Sequence, residues 1–122
     1  MSTQPHFKFK ELKVWQKAVS FATKVIRAID DFDTPRKHYR LIEQLEAACT
    51  SVAMNIAEGK GRQTTKEFFQ YLYIARGSLF EVITLLTIFQ NLNWVTPEKA
   101  SDFQKDAEEI TKMLNAMIKA MK

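Results

Sequence analysis

The sequence predicts an all-α protein that folds as an antiparallel four-helix bundle with up-down-up-down topology. Apolar residues recur every three or four positions in four separate segments, and none of these segments shows the alternation typical of strands. The 122 residues include only three glycines and three prolines, which favours long helices joined by short connections. Short connections place consecutive helices side by side in opposite directions.

Length and composition indicate an ordinary soluble domain. We expect one domain over residues 1–122, with residues 1–9 as an N-terminal tail, because 122 residues can bury a core without metals or disulfides. The start of the chain lacks the apolar run of a secretory signal. Cys49 is the only cysteine. A lone thiol in a helical pattern suits a core position and a cytoplasmic location.

The first helix is predicted over about residues 10–31 and the second over about residues 35–58. An acidic turn separates them, in which Thr34 is the predicted N-cap of the second helix and Pro35 its first residue. The expected inward stripe of the first helix is Leu12, Trp15, Val19, Ala22, Ile26 and Ile29. The expected inward stripe of the second helix is Leu41, Ile42, Leu45, Ala48, Val52 and Ile56.

The third helix is predicted over about residues 65–91, and the fourth begins at Pro97. Thr64 and Glu67 form a capping-box pattern before the third helix, and Thr96 is the predicted N-cap of the fourth. The third helix is apolar on more than one face. Polar residues interrupt its apolar run, so we interpret it as a buried helix rather than a membrane span. The expected inward residues of the fourth helix are Phe103, Ala107, Ile110, Leu114, Met117 and Met121.

Residues 55–62 (NIAEGKGR) contain two of the three glycines and predict the turn between the second and third helices. A nucleotide-binding phosphate loop would follow a strand and would have a different glycine spacing. Gly59 is predicted at the end of the second helix with a positive φ angle. Glu58 is expected either to stabilise the start of the third helix or to pair with Arg62.

The segments NIAEGKGR, TTKEFFQYLYIARGSLFE and FKELKVWQKA resemble the bacterial family called four helix bundle proteins. This family includes proteins encoded by intervening sequences within 23S rRNA genes, sometimes described as ribosomal proteins. The resemblance extends from about residue 9 into the fourth helix. The sequence is also more distantly similar to the accessory variability determinant protein of diversity-generating retroelements. That protein is a pentameric barrel that binds nucleic acid and a reverse transcriptase. The matching motif positions are Asn55, Glu58, Gly59, Gly61, Glu67, Gly77, Ser78 and Glu81.

This resemblance implies a helical bundle, often a homopentamer, with a role involving RNA and without catalytic residues. The residues themselves also favour self-association, because the third helix is more apolar than one core requires. We expect its surplus apolar surface, together with Trp15 and Phe21, to meet other copies of the chain. Gly77 and Ser78 are expected to let another helix pack closely.

Basic residues are concentrated in the first half of the chain, whose net charge over residues 1–66 is positive. Five of them share one edge of the first helix: Lys10, Lys13, Lys17, Lys24 and Arg27. Three more surround the predicted turn: Lys60, Arg62 and Lys66. Both groups are candidate contacts for RNA or DNA phosphates. The alternative for the row on the first helix is a solvated helix face.

The sequence therefore predicts a non-enzymatic, oligomeric protein that binds nucleic acid, with a protein-interaction scaffold as the alternative. His6 and His38 lack partners at metal-ligand spacing. Ser78 lacks the strand-turn context of a nucleophile. We expect no catalytic residue, metal, cofactor or membrane partner. Within the third helix, Arg76 and Glu81 are predicted not to pair, and Arg40 is the predicted partner of Glu81.

Overall fold

The computed structural model describes residues 7–34 and 38–122, which form four α-helices and no β-strand. A short 3-10 turn, Lys8–Glu11, precedes the helices α1 (Lys13–Ile29), α2 (Tyr39–Lys60), α3 (Thr65–Asn91) and α4 (Pro97–Met121). Each helix contacts the next one in the chain, and α1 also contacts α4. The all-α class and the four helices are therefore confirmed.

Residues 7–11 are more ordered than the sequence predicts. Lys10 lies in the 3-10 turn rather than in α1, because Leu12 has an extended backbone that separates the two elements. The Phe9 ring packs edge-on against Trp15, with 5.3 Å between ring centroids. Part of the predicted tail thus lies against the helices.

Helix α2 has a different N-terminus from the predicted one. Its N-cap is His38 rather than Thr34, and the His38 side chain makes no capping hydrogen bond. Pro35, the predicted first residue, lies outside the described residues. The C-terminus of α1 is also two residues shorter than expected, at Ile29.

The N-termini of α3 and α4 are confirmed in detail. The Thr64 hydroxyl oxygen accepts a hydrogen bond from the Glu67 backbone N–H at 3.1 Å, and the hydroxyl donates to the Glu67 carboxylate at 3.0 Å. Thr96 accepts from the Lys99 backbone N–H at 3.3 Å, and Pro97 is the first residue of α4. Both caps satisfy backbone donors that an α-helix leaves free at its start.

The four helices share one cluster of buried apolar side chains. The α2 and α4 stripes largely match the prediction, but α1 turns a partly different face inward: Ala22 is buried as predicted, whereas the other buried residues of α1 are Val14, Ala18, Phe21 and Val25. Phe21 is only 2% exposed, so its predicted place in an exposed apolar patch is wrong. Helix α1 is apolar on two neighbouring faces, and periodicity alone does not distinguish between them.

Helix α3 is long and apolar enough to cross a membrane, by length and composition only. A core helix of a soluble protein can have the same length and composition, and 44% of the most apolar stretch of α3 is buried within the protein. One such helix does not by itself indicate a membrane location.

Candidate nucleic-acid interface

Gly59 lies inside the last turn of α2 and allows close contact with α3. Neither it nor Gly61 has a positive φ, so the prediction of a left-handed Gly59 is wrong. A Cβ atom added to Gly59 would lie 2.6 Å from Tyr71 Cβ and 2.9 Å from Phe68 Cδ1. The sequence requires glycine here because the two helices touch, while Gly61 ends α2 in an ordinary right-handed conformation.

A short chain of polar side chains joins α2 to α3 within the bundle. The Asn55 side-chain amide donates to the Ser51 hydroxyl at 2.9 Å, and Ser51 and Ser78 share a hydrogen bond of the same length. Asn55 also donates to the Ser51 carbonyl at 2.8 Å. Ser78 is buried, so it serves the close helix packing predicted for it.

Arg62 is held at the turn by two partners. Its guanidinium pairs with the Glu58 carboxylate at 2.8 Å, one of the two predicted alternatives, and donates to the Tyr71 hydroxyl. The guanidinium also lies over the Tyr71 ring, 4.8 Å from its centroid. Arg62 therefore has much of its charge and hydrogen-bonding capacity in use within the protein.

The basic row on α1 is opposed by carboxylates from α4. Lys17 pairs with Glu109 at 2.6 Å and Lys24 pairs with Asp106 at 2.7 Å. The sequence places almost no acidic residues within this row, but the structure supplies acidic partners from the neighbouring helix. Exposed pairs of this kind contribute about 0.2–1 kcal/mol each, and they lower the positive charge that this face offers to phosphates.

The remaining predicted cations are exposed and free of carboxylates. Within residues 7–34 and 38–122, none of the following forms an ion pair: Lys10, Lys13, Arg27, Lys60 and Lys66. Lys60 lies over the Phe68 ring at 5.9 Å, and Lys66 is in the exposed first turn of α3. The available positive charge is therefore greatest around the α2–α3 turn and the start of α1.

The motif residues Gly77 and Glu81 of α3 are exposed, and the neighbouring Arg76 is half-buried. Arg76 donates to the Asn115 side chain on α4 at 2.8 Å, which agrees with the prediction that it does not pair with Glu81. Glu81 is exposed and forms no ion pair with Arg40, so that predicted pair is wrong. A Cβ atom added to Gly77 would have no neighbour within 4 Å. Gly77 thus has no packing role among the residues that the structure describes.

The Cys49 thiol is buried in the core, as predicted. Burial, and secondarily the negative charge of Glu46, raises the pKa of Cys49 to about 12. The thiol is therefore protonated at neutral pH, a form in which it is a poor nucleophile.

Sequence reasoning missed the contribution of Phe7 and Lys8. They border an open cleft of about 560 Å³ beside the α2–α3 turn, which also includes Lys60 and Arg62. The pattern Phe7-Lys8-Phe9-Lys10 is a visible signal, because sites for single-stranded nucleic acid combine aromatic side chains with basic ones. Because residues 1–9 were predicted to form an N-terminal tail, Phe7 and Lys8 were not considered as binding residues.

Comparison with known proteins gives one matching family and a similar solved structure. The family model of the 23S rRNA-intervening sequence proteins matches residues 10–116. A protein of unknown function from the S23 ribosomal protein family of Bacteroides thetaiotaomicron VPI-5482 shares 25% sequence identity, with a TM-score of 0.80. The similarity covers 87% of this chain and 98% of the other. No curated protein matches the sequence significantly. Because the family model spans most of the sequence, from the 3-10 turn almost to the end of α4, this chain is a member of the 23S rRNA-intervening sequence protein family.

Proposed function

We propose that this protein is a non-enzymatic, self-associating helical protein that binds nucleic acid through cations around the α2–α3 turn. The observation that supports it most directly is the set of exposed, unpaired lysines there, in contrast to the paired lysines of the α1–α4 edge. The family name refers to 23S rRNA, so RNA is the first ligand to test.

We also infer the antiparallel up-down-up-down order. The contacts between α1 and α4 support it, because Lys17 meets Glu109 and Lys24 meets Asp106. Farther along, Asp31 approaches Lys99 at 3.9 Å. Residue numbers increase from Lys17 to Asp31, whereas the numbers of their partners decrease from Glu109 to Lys99. The first and last helices therefore run in opposite directions.

This order brings the start of α1, the end of α2, the start of α3 and the end of α4 to one end of the bundle. We call it the turn end. Its basic residues are Lys8, Lys10, Lys13, Lys60, Arg62, Lys66, Lys119 and Lys122. Its acidic residues are Glu11, Glu58 and Glu67. Such an excess of positive charge attracts a nucleic-acid backbone with little dependence on base sequence.

Self-association is supported by two apolar surfaces. The α3 outer face consists of Tyr73, Ile74, Gly77, Phe80 and Ile88, of which Ile74 and Phe80 are 52% and 54% exposed. The outer groove between α1 and α2 has a volume of about 570 Å³ and is lined largely by Trp15, Val19, Ala22, Ile26, Met54 and Ala57. Apolar surfaces of this kind mark sites of protein association.

We propose that the α3 outer face of one copy packs into the outer groove of the next, and that five copies close a ring. Gly77 supports this arrangement, because its missing side chain lets a neighbouring chain approach the α3 backbone. A ring would repeat the turn end several times on one surface, so weak phosphate contacts would add together. A scaffold that binds only proteins is the second candidate, supported by the same apolar surfaces.

Nucleic-acid binding is tested by fluorescence anisotropy with labelled RNA and DNA at several salt concentrations. The triple variant Lys13→Gln, Lys60→Gln, Lys66→Gln removes three unpaired cations. For each phosphate that the variant no longer neutralises, the slope of log affinity against log salt should shrink by about 0.9 for a duplex and about 0.7 for a single strand.

The matched control is Lys17→Gln, Lys24→Gln, Lys99→Gln, which removes the same charge from three lysines that have carboxylate partners. We expect a much smaller change in its slope. Equal slopes for the two triple variants would contradict a site at the turn end. If the wild-type protein binds neither RNA nor DNA at low salt, the scaffold becomes the better explanation.

A further inference from the structure

The cleft beside the α2–α3 turn combines an exposed aromatic ring with unpaired cations. We call it the aromatic–basic cleft, and its functional side chains are Phe7, Lys8, Phe9, Glu58, Lys60 and Arg62. Its volume of about 560 Å³ falls in the range of ~300–1,000 Å³ in which proteins hold small ligands. It is therefore large enough to hold one nucleotide unit of a longer chain.

The aromatic side of the cleft belongs to a row of three rings in edge-on or tilted contact, whose outermost member, Phe7, is exposed to solvent. Phe9 packs against the half-buried Trp15, and Phe7 follows at 5.8 Å from Phe9. Phe7 is 51% exposed, although an apolar ring gains free energy from burial. These contacts hold Phe9 against the helices, and about half of the Phe7 surface stays exposed.

The basic side of the cleft retains positive charge. Arg62 and Glu58 neutralise each other, whereas Lys8 and Lys60 have no carboxylate partner within the described chain. Lys10 adds a third free ammonium group, which lies 5.7 Å from the Phe7 ring centroid. Lys8 and Lys60 line the same cleft as Phe7, so positive charge lies close to the exposed ring.

We propose that the aromatic–basic cleft binds single-stranded nucleic acid, with one unpaired base stacked on Phe7 and the adjoining phosphates on Lys8, Lys10 and Lys60. This inference rests on the proposed function and specifies the form of nucleic acid that it involves. A duplex keeps its bases stacked within the helix, so only a single strand can offer a base to the ring.

The test compares binding of a labelled single-stranded RNA, a single-stranded DNA of the same sequence, and the matching duplex. Phe7→Ala should weaken single-strand binding about 5- to 150-fold, which is the range for loss of one base–aromatic stack. Duplex binding should hardly change, and the salt slope should stay the same because the variant keeps every charge. Lys8→Gln should instead reduce the slope by about 0.7 for a single strand.

Tyr39→Ala is the matched control, because Tyr39 is an exposed aromatic residue, 64% accessible, in the first turn of α2 and far from the cleft. It should leave binding unchanged. Phe7→Leu keeps an apolar side chain but removes the aromatic ring, so it should weaken single-strand binding like Phe7→Ala if stacking is responsible. Circular dichroism verifies that each variant is folded.

The possible outcomes separate this inference from the proposed function. The role of the cleft would be contradicted if the wild-type protein bound duplex and single strand with equal affinity, or if the Phe7 and Tyr39 variants bound equally well. Either result would leave the proposed function intact. Absence of any binding by the wild-type protein would overturn both. Preference for single-stranded RNA over DNA would point to a contact with the 2′-hydroxyl group, and equal affinity would limit the contacts to base and phosphate.

Discussion

Gly59 shows how one missing side chain determines the contact between two helices. Gly59→Ala would place a methyl group 2.6 Å from Tyr71 Cβ, an atom close to the α3 backbone that has little freedom to move. We expect the variant to lose about 1–3 kcal/mol of unfolding free energy, the usual cost of overpacking. Urea denaturation followed by circular dichroism measures this loss.

Gly77→Ala is the natural control, because it makes the same substitution within a helix where the added methyl group meets nothing in the chain. Alanine has a higher helix propensity than glycine, so the isolated chain should gain up to about 1 kcal/mol. Destabilisation of similar size in both variants would show that Gly59 has no special packing role.

Cys49 gives a prediction about pH. Because burial raises the thiol pKa to about 12 in the folded protein, from a reference value of 9.0, the folded state holds a proton that the unfolded state releases between these values. Stability should be unaffected by this group below pH 9 and should fall as pH rises from about 9 to 12. Cys49→Ala should remove this part of the alkaline decline, as measured by urea denaturation at several pH values. If Cys49→Ala loses stability at alkaline pH as much as the wild-type protein does, other titrating groups cause the loss.

Pairings close in sequence were predictable at the level of single residues, whereas pairings across helices were not. Glu58 and Arg62 are four positions apart on a helix, a spacing that brings side chains together. The partners of Lys17 and Lys24 lie on α4, and their identity depends on the rotation of two helices about their axes. The pairing of Glu81 with Arg40 failed for the same reason.

The end of α3 depends on a residue that the sequence pattern did not single out. Asn93 has a φ of 63°, and the Trp94 N–H donates to the Phe89 carbonyl at 2.8 Å while the Asn93 N–H donates to the Gln90 carbonyl at 3.0 Å. These two bonds form a Schellman motif, in which the left-handed position favours glycine or asparagine.

Substitutions at Asn93 should therefore follow backbone preference. Asn93→Ala should lower the unfolding free energy by about 1–2 kcal/mol, the strain of a left-handed alanine, whereas Asn93→Gly should be neutral or slightly stabilising. Thermal unfolding of the two variants measures the difference. Equal melting temperatures would mean that the turn adopts another conformation without strain.

Helix number, approximate bounds and the N-caps of α3 and α4 could be read from the sequence because each depends on nearby residues. Thr64 and Thr96 were recognisable as N-caps from the residues that follow them. The inward face of α1 was not predictable, because this helix is apolar on two faces and its partners decide which one is buried. Val19 and Ile26, two members of the stripe that was predicted to face the core, instead line the outer groove, whereas Ala22 of the same stripe is buried as predicted.

At the scale of the whole molecule, the α3 outer face predicts self-association. Ile74→Glu together with Phe80→Glu should convert the proposed ring to a 14.2 kDa monomer, because buried unpaired carboxylates are costly at an interface. Met54→Glu in the outer groove should have the same effect. Size-exclusion chromatography with light scattering measures the mass.

Tyr39→Glu provides the control, since it introduces the same charge at an exposed aromatic position outside both apolar surfaces. This variant should keep the wild-type mass. A wild-type protein that is already a monomer at micromolar concentration would contradict the interface, and so would assembly by the doubly substituted α3 variant. The two surfaces differ, so the proposed contact would run head to tail, as a closed ring requires.

The carboxylates that α4 presents to α1 also suggest an order of folding. Lys24 and Asp106 are 82 residues apart in sequence, whereas Ser51 and Ser78 are 27 apart and Arg62 and Tyr71 only 9. The entropy lost on closing a loop grows with its length. The α2–α3 hairpin can therefore form early from its own local contacts, and the edge between the first and last helices closes last. The same edge, held by exposed ion pairs, is where the native protein is expected to open first.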